Sequence, residues 1–485
     1  MADLNDKKPE NTKELVDVVG HFGPWQTRIL LLSSCLFIPH VWHVMGIVFF
    51  APNIDYWCKR PEKYSNITND QWKALAIPLD SKTNDNVTYS HCLMYKNFNN
   101  SSMEEEDSVV RCSSWEYDRS LYKSTIIDEW DLVCSNEWLT SLSTSVYMSG
   151  FLSAVFLSGQ LADRFGRRPI ILINVAIFFA SALACSFSTS FAMFAALRYF
   201  VGFGASGAVT TAFVLFMEVI GPEYRSVMGI VFMLCWTTGY IILPGIAWFV
   251  RDWFTLQLTL TVPWIVLSIH WWLLPESPRW LLTHGKVEQA EKEIETAMRL
   301  NHKDVTNIKE IVQNLKRKEV KREETKKFRH PTFLDLLKTS NMRKKSLNIF
   351  FTWFVVSFAF YGLSLRTNDL GGNPYINFFI AGITEYPAAI TVMFSIKHLG
   401  RRIPLMALMV SGGLACVFTF LVPNYLHWLL ITLTMFGKFC VSASFSILYI
   451  YSVELFPTVV RNVGVGSSSM CARFGSMVAP FVKEL

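Results

Sequence analysis

Arg198, Glu385, Lys438 and Arg473 are charged side chains inside long apolar runs, as are the histidines at 40 and 43. A charge in hydrocarbon is costly, so such residues mark a transport pathway or a buried pair. Near them lie aromatic sets at helical spacing. Trp353, Phe360 and Tyr361 fall within two turns, with Trp353 and Phe360 on one face; Trp236 and Tyr240 are four apart. Aromatic faces attract organic cations with about 0.5–2 kcal/mol per contact. An acid, a base and such faces are equipment for holding an organic ion. His40 and His43, three apart beside Pro39, share a helical face and read either as cavity contacts or as neutral, hydrogen-bonded core residues. No nucleophile, base and orienting group assemble at a recognisable spacing, which argues against an enzyme.

The elements that carry these residues are membrane-length. The 485 residues are 51% hydrophobic and 17% charged, against about 25% charged in soluble domains. Apolar blocks of about twenty residues each suffice to cross a hydrocarbon core as a helix, and backbone satisfaction in lipid favours an all-α bundle. Eleven spans are expected near 27–50, 139–162, 169–187, 191–217, 226–250, 256–274, 346–365, 375–396, 403–422, 426–452 and 462–482. The domain reading is a cytoplasmic N-terminus (1–26), a first membrane half (27–274) with an extracellular loop at 51–138, a cytoplasmic linker (275–345) and a second membrane half (346–485). The first 26 residues are polar and the first apolar run is too long for a signal-peptide core. The net charge of +6 lies mainly in one loop, so no nucleic-acid partner is expected; the expected partners are a small organic ion, the lipid bilayer and an unspecified coupling ion.

Two independent patterns orient the chain. In short loops, basic residues at 164, 167, 168, 225, 397, 401, 402 and 461 lie on one side against Arg251 and Arg366 opposite, which puts the N-terminus in the cytoplasm. The glycosylation acceptors Asn66, Asn86, Asn99 and Asn100 all fall in the first long loop, on the other side. That loop also holds Cys58, Cys92, Cys112 and Cys134, expected as disulfides with three pairings open. The other six cysteines read as small apolar packing residues; no metal and no cofactor are expected. The linker holds 18 of the 45 lysines and arginines, but Val287, Ala290, Ile294 and Ala297 keep helical spacing, as do Ile308, Ile311, Val312 and Leu315. Short amphipathic helices are expected there, with a disordered basic segment near anionic lipid as the rival.

A repeat ties the halves together. Gly159-Gln-Leu-Ala-Asp-Arg-Phe-Gly-Arg-Arg-Pro169 recurs, degraded, as Lys397-His-Leu-Gly-Arg-Arg-Ile-Pro404, and Glu218…Arg225 recurs as Glu454…Arg461. A parallel six-helix repeat implies a transporter with its site between the halves. Arg198 and Lys438 occupy roughly corresponding places, favouring structural roles; Glu385 and Arg473 have no mirror partners and are expected in the central cavity. Asp163, Arg164, Arg167, Arg168, Glu218 and Arg225, with Arg401, Arg402, Glu454 and Arg461, are expected as a cytoplasmic gate that closes the outward-facing state, Asp163 being essential to it.

The 159–169 stretch resembles the signature loop of the major facilitator superfamily. More narrowly, the chain resembles solute carrier family 22 through Gly20-His-Phe-Gly-Pro-Trp-Gln26, Ser124-Thr-Ile-Ile-Asp-Glu-Trp-Asp-Leu-Val-Cys134, Pro275-Glu-Ser-Pro-Arg-Trp-Leu281 and Glu454-Leu-Phe-Pro-Thr-Val-Val-Arg-Asn462. The resemblance implies two six-helix halves and polyspecific transport by alternating access at the plasma membrane. The family has twelve spans and this chain ends after the eleventh, so the second half is read as lacking its last helix. Arginine at 473, where cation transporters usually have aspartate, is similar to the carnitine-type and anion transporters. Glu385 with Ala389 is similar to the cation and carnitine branches, as is the run 436–449 to the carnitine branch. The expected cargo is therefore an organic cation or zwitterion, held by Glu385, Arg473, Trp353, Phe360, Tyr361, Trp236, Tyr240, His40 and His43. The alternatives are an organic-anion exchanger using Arg473 and a non-transporting receptor or regulatory protein on the same fold.

Overall fold

The structure, a computed structural model, describes residues 14–83, 86–96, 109–327, 333–423, 426–457 and 460–483. Asn99 and Asn100 lie outside them. Membrane-length helices are numbered α1 to α11: Pro24–Phe50, Trp138–Phe165, Arg167–Ser186, Phe191–Val219, Arg225–Phe249, Trp253–Leu273, Ser340–Leu365, Pro374–Leu399, Arg402–Thr419, His427–Leu455 and Arg461–Val478. Among the described residues ten helices are long and apolar enough to span a bilayer, and the chain is a multi-pass membrane protein.

The eleventh expected span departs from this pattern. It folds as a helix, but Gly464, Gly466, Ser467, Ser468, Ser469 and Arg473 leave it too polar to qualify by hydropathy. Its neighbours explain why that is tolerated. α11 packs along α7 and against α2, and Ser468 and Ser476 are fully buried, so protein covers its polar face.

The repeat seen in the sequence returns as packing. α1 lies on α5, α2 on α4 and α3 on α4; six helices later, α7 lies on α11, α8 on α10 and α9 on α10. The contacts between halves obey the same relation, since α2 meets α11 and α5 meets α8. The close approach of α2 and α4 depends on Gly150 and Gly202. A Cβ at either would run into the other helix's backbone, at the carbonyls of Tyr199 and Tyr147 respectively.

α8 changes partner along its length. Its first segment, Pro374–Ile383, packs mainly on α5, and its second, Glu385–Leu399, mainly on α10. The joint has a local cause: Pro387 has no N–H to offer the carbonyl of Ile383.

Two polar elements occupy opposite ends of the bundle. Between α1 and α2, three antiparallel strand pairs (Tyr56–Cys58 with Trp115–Tyr117, Leu79–Thr83 with Asn86–Tyr89, Leu93–Tyr95 with Val109–Arg111) surround a small core of Trp57, Trp72, Ala76 and Ile77. The structure pairs Cys58 with Cys112 and Cys92 with Cys134. Asn66 is exposed in a turn and Asn86 opens a strand. This domain rides on the first half: the Lys123 N–H donates to the Arg251 carbonyl (3.0 Å), and Trp130 packs on Phe194 and Trp253.

Between α6 and α7, helices Pro278–Thr283, Val287–Leu300 and Ile308–Lys327 pack under the first half, burying Ala290, Ile294, Ala297, Val312 and Leu315. Asn301 ties them to the start of α1. Its Oδ1 accepts the Trp25 N–H (2.9 Å), and its Nδ2 donates to the Val19 carbonyl and to Gln26 Oε1 (both 2.8 Å).

Candidate functional site

Glu385 lies at the joint of α8, on the seam between the halves. Lys438 Nζ from α10 stands 3.2 Å from Glu385 Oε1, and Thr237 Oγ1 from α5 of the other half donates to Oε2 at 3.1 Å. One helix turn of α5 thus reads the same element twice, since Thr238 Oγ1 is 2.9 Å from the Tyr386 hydroxyl. The Lys438 ammonium also sits over the Phe360 ring at 3.4 Å, donates to Ser364 Oγ at 2.5 Å and lies 5.4 Å from the Tyr240 ring centre. Glu385 is 7% exposed and Lys438 1%. A carboxylate and aromatic faces therefore already enclose one ammonium group, the protein's own.

Arg473 is the other charge at this level, and it is partly exposed. Its guanidinium stacks on Phe151 of α2 at 3.8 Å and lies beside Tyr361. Phe151 neighbours the His40 ring (5.6 Å), which neighbours Trp236 (6.1 Å). Among the described residues no carboxylate pairs with Arg473.

The expected residues divide accordingly. Glu385, Tyr240 and Phe360 gather around Lys438, while Arg473, Tyr361, Trp236 and His40 form an adjoining group. His43 and Trp353 belong to neither. His43 turns into the first half, edge-on to Phe178 (4.8 Å), with Nε2 3.3 Å from the Leu260 carbonyl. A three-residue step rotates a side chain by some 60° around a helix, enough to put it in a different interface. Trp353 is core of the second half, its Nε1 donating to Ser452 Oγ (2.8 Å) and its ring edge-on to Phe445 and Tyr449.

Arg198 and Lys438, read as a symmetric structural pair, part company. Arg198 donates to the His43 carbonyl (2.9 Å) and stacks on Tyr147 (4.4 Å), whereas Lys438 pairs with the site's acid. Sequence reasoning flagged Lys438 as a buried charge but left it out of the site. Phe151, Thr237 and Ser364 carried no signal beyond lying in apolar runs.

The charges expected as a gate are brought together at the same end of the bundle. Arg167 Nη2 bridges Asp163 (2.9 Å) and Glu218 (2.7 Å), all in the first half, and Arg401 pairs with Glu454 (2.9 Å) in the second. The Asp163 side chain is 76% exposed and that of Glu218 18%, so the Arg167–Glu218 bridge is the more buried of the two. Arg164 is exposed over the Phe165 ring, Arg168 donates to the Trp271 carbonyl and Arg402 is exposed. Arg225 is partly buried at the start of α5, and Arg461 Nε donates to the Phe456 carbonyl (3.4 Å).

A member of the network that the spacing did not reveal is Glu276. Its carboxylate accepts the N–H groups of Arg167 (2.9 Å), Arg168 (3.2 Å) and Ser277 (2.8 Å), capping the N-terminus of α3. Burial pushes its carboxyl above the usual carboxylate range, against the pull of those N–H groups. Gly166, at φ +110°, gives the turn between α2 and α3 its shape directly under that carboxylate. Glu276→Ala is expected to cost about 1–2 kcal/mol, a typical cap loss, and to lower the thermal midpoint. A midpoint equal to that of the unaltered protein would show the cap contributes nothing.

Contacts between halves concentrate at the disulfide-domain end. Ser141 and Ser145 of α2 donate to the Pro480 and Met477 carbonyls (3.1 and 2.6 Å), and Phe49 of α1 packs on Tyr375 and Phe378 of α8. With Tyr240 stacked on Phe378 at 4.3 Å, that end is shut down to the level of Glu385.

Residues 87–484 match the family of sugar (and other) transporters. Over 475 residues the chain is 34% identical to an organic cation transporter protein of Drosophila melanogaster, covering 97% of this chain and 86% of that one. It is likewise 34% identical to the organic cation/carnitine transporter 2 of Homo sapiens (96% and 85%) and to the solute carrier family 22 member 3 of Mus musculus (96% and 86%). The chain belongs to solute carrier family 22. The fold of this family 22 transporter is that of the major facilitators: the bacterial proton:xylose symporter XylE superposes with a TM-score of 0.58 at 15% identity, covering 95% of this chain and 88% of that one.

Proposed function

We propose that this transporter carries a small organic zwitterion, an ammonium compound bearing a carboxylate, across the plasma membrane by alternating access. The observation that carries the reading is a charge count. Lys438 neutralises Glu385, and among the described residues Arg473 is left as a partly exposed charge with no acid paired to it. A substrate carboxylate on Arg473 would complete the site with charge-assisted hydrogen bonds, while Trp236 and Tyr361 offer aromatic rings to an ammonium group. The names of the relatives, an organic cation transporter and an organic cation/carnitine transporter, support this class.

The orientation we propose has the N-terminus and helical linker in the cytoplasm and the disulfide domain outside. The basic short loops, the two disulfides and the exposed Asn66 support it. The state shown is then closed externally. The same charge count favours organic anions as a second reading, with the aromatic faces idle. Uptake of labelled carnitine, tetraethylammonium and p-aminohippurate by expressing cells separates these. Saturable carnitine uptake well above the other two is expected. Uptake of p-aminohippurate alone would establish the anion reading, uptake of tetraethylammonium alone a simple cation carrier, and uptake of none would end the transport proposal.

A further inference from the structure

Just ahead of α7, the short helix Phe333–Lys338 folds back against the bundle. Leu336 is fully buried, Ser346 Oγ of α7 donates to its carbonyl at 3.4 Å, and the Phe333 ring lies nearly parallel to that of Phe350, 6.2 Å away. The helix packs on α7 and α11, under the second half, whereas the other linker helices pack under the first. Its outer side is apolar: Phe333 is 48% and Leu334 72% exposed. Through Phe350 that side adjoins the outside of α7, where Leu347 and Phe351 are 55% and 70% exposed. On a membrane-spanning helix such a face is turned to lipid. Cations surround this apolar side. Lys338, Arg343, Lys344 and Lys345 are all exposed, and among the described residues no carboxylate pairs with any of them. At about 100° per residue, Lys344 stands over the Leu347 and Phe351 face, with Arg343 and Lys345 to either side of it. Asp335 is the one acid between 333 and 345.

We infer that the segment Phe333–Lys345 is a docking surface for anionic lipid: Phe333 and Leu334 enter the bilayer interface, and the surrounding cations hold negatively charged headgroups. The two features do different work. Apolar side chains alone would seat the helix in any bilayer. The unpaired cations select among lipids, each contributing about fivefold in affinity for an anionic surface, while their aliphatic stems lie along the apolar side. A topology signal needs basic residues at a helix end but no exposed phenylalanine and leucine beside them. The linker is then fixed at both ends, to the first half by protein contacts and under the second half by the membrane. In a cell the site rests on the orientation proposed above, which puts this end at the cytoplasmic leaflet. In lipid discs with both leaflets alike, binding is read whichever way the chain is threaded, so the two readings fail separately.

The test compares amide hydrogen exchange of the full-length protein in discs of pure phosphatidylcholine and in discs with about 30% phosphatidylserine. Exchange across 333–339 is expected to be at least about fivefold slower with phosphatidylserine, and the helix Asn69–Ala76 of the disulfide domain should not respond. Sodium chloride at about 1 M should remove most of the difference, since it screens beyond about 3 Å. Replacing Lys338, Arg343, Lys344 and Lys345 together by glutamine should abolish the difference, with unchanged exchange in the membrane helices as the check on folding. Leu334→Gln should speed exchange of the segment in both kinds of disc. Equal exchange of the unaltered protein in the two discs, a comparison that needs no variant, would overturn the assignment. So would a lipid difference that survives loss of the four cations or 1 M salt (about 3 Å screening), or a Leu334→Gln segment that exchanges like the unaltered one. Equal protection by soluble inositol trisphosphate in pure phosphatidylcholine discs would make this a site for free phosphate and overturn the lipid assignment too.

Discussion

Arg473→Gln is expected to reduce carnitine uptake efficiency about 100-fold, equivalent to ~2.7 kcal/mol of lost transition-state stabilisation. The arginine is a partly exposed charge of the central group, stacked on Phe151 at 3.8 Å beside Tyr361, with no carboxylate pairing it among the described residues. Glutamine keeps some of the hydrogen-bonding capacity and none of the charge, and hydrogen bonds to charged groups contribute about 1.5–3 kcal/mol. Arg473→Lys should recover only part of the loss, because an ammonium lacks the planar fork that meets a carboxylate at two points. Tetraethylammonium has no carboxylate, so any uptake of it should persist or improve. Initial rates over a range of concentrations for both compounds decide the matter. An equal loss for both would mean that Arg473 holds the protein together and does not recognise cargo.

The second large effect concerns the pair behind it. Glu385→Gln and Lys438→Met should each lower the thermal midpoint by roughly 5 °C and reduce the amount of protein at the cell surface, since breaking a buried ion pair costs about 3–5 kcal/mol. The double change should recover most of that loss, because neither charge is then stranded. The pair is 7% and 1% exposed, so solvent cannot take the place of the missing partner. Function separates the two single variants. Lys438→Met leaves a bare carboxylate beside Phe360 and Tyr240, a better box for a simple cation, and tetraethylammonium uptake per molecule at the surface should rise. Single and double variants with equal midpoints would show the two charges to be uncoupled.

What could be read from the chain, and what could not, follows from the range of the interactions. Helix number and the six-helix repeat are written in blocks of local composition, and the repeated turn at 159–169 and 397–404 marks the same offset that the packing of α2 on α4 and α8 on α10 obeys. Glu385 and Arg473 stood out because a charge in an apolar run is anomalous by itself. Lys438 was equally visible, but its partner lies 53 residues away on another helix, and its likeness in position to Arg198 suggested a structural role. His43 and Trp353 show the converse limit: periodicity assigns a residue to a face, and only the neighbouring helices decide what that face meets. The gate charges were legible as a set, while the depth at which each acid meets its arginine depends on packing that no local pattern states. Glu276, holding the start of α3 from the far end of α6, was legible only as part of a recognised motif.

The proline joint in α8 gives the acid at the site a mechanical position as well as a chemical one. The segment before it packs mainly on the opposite half and the segment after it mainly on its own, so a rotation of one half against the other, as alternating access would require, would bend the helix near Ile383 and Thr384. Glu385 is the first residue beyond that elbow. Its carboxylate is therefore carried round as the elbow bends, away from Thr237 or towards it, and the grip on Lys438 becomes a function of the angle. On the alternating-access reading proposed above, recognition and motion would share a single joint of backbone, where the helix has one hydrogen bond fewer to lose.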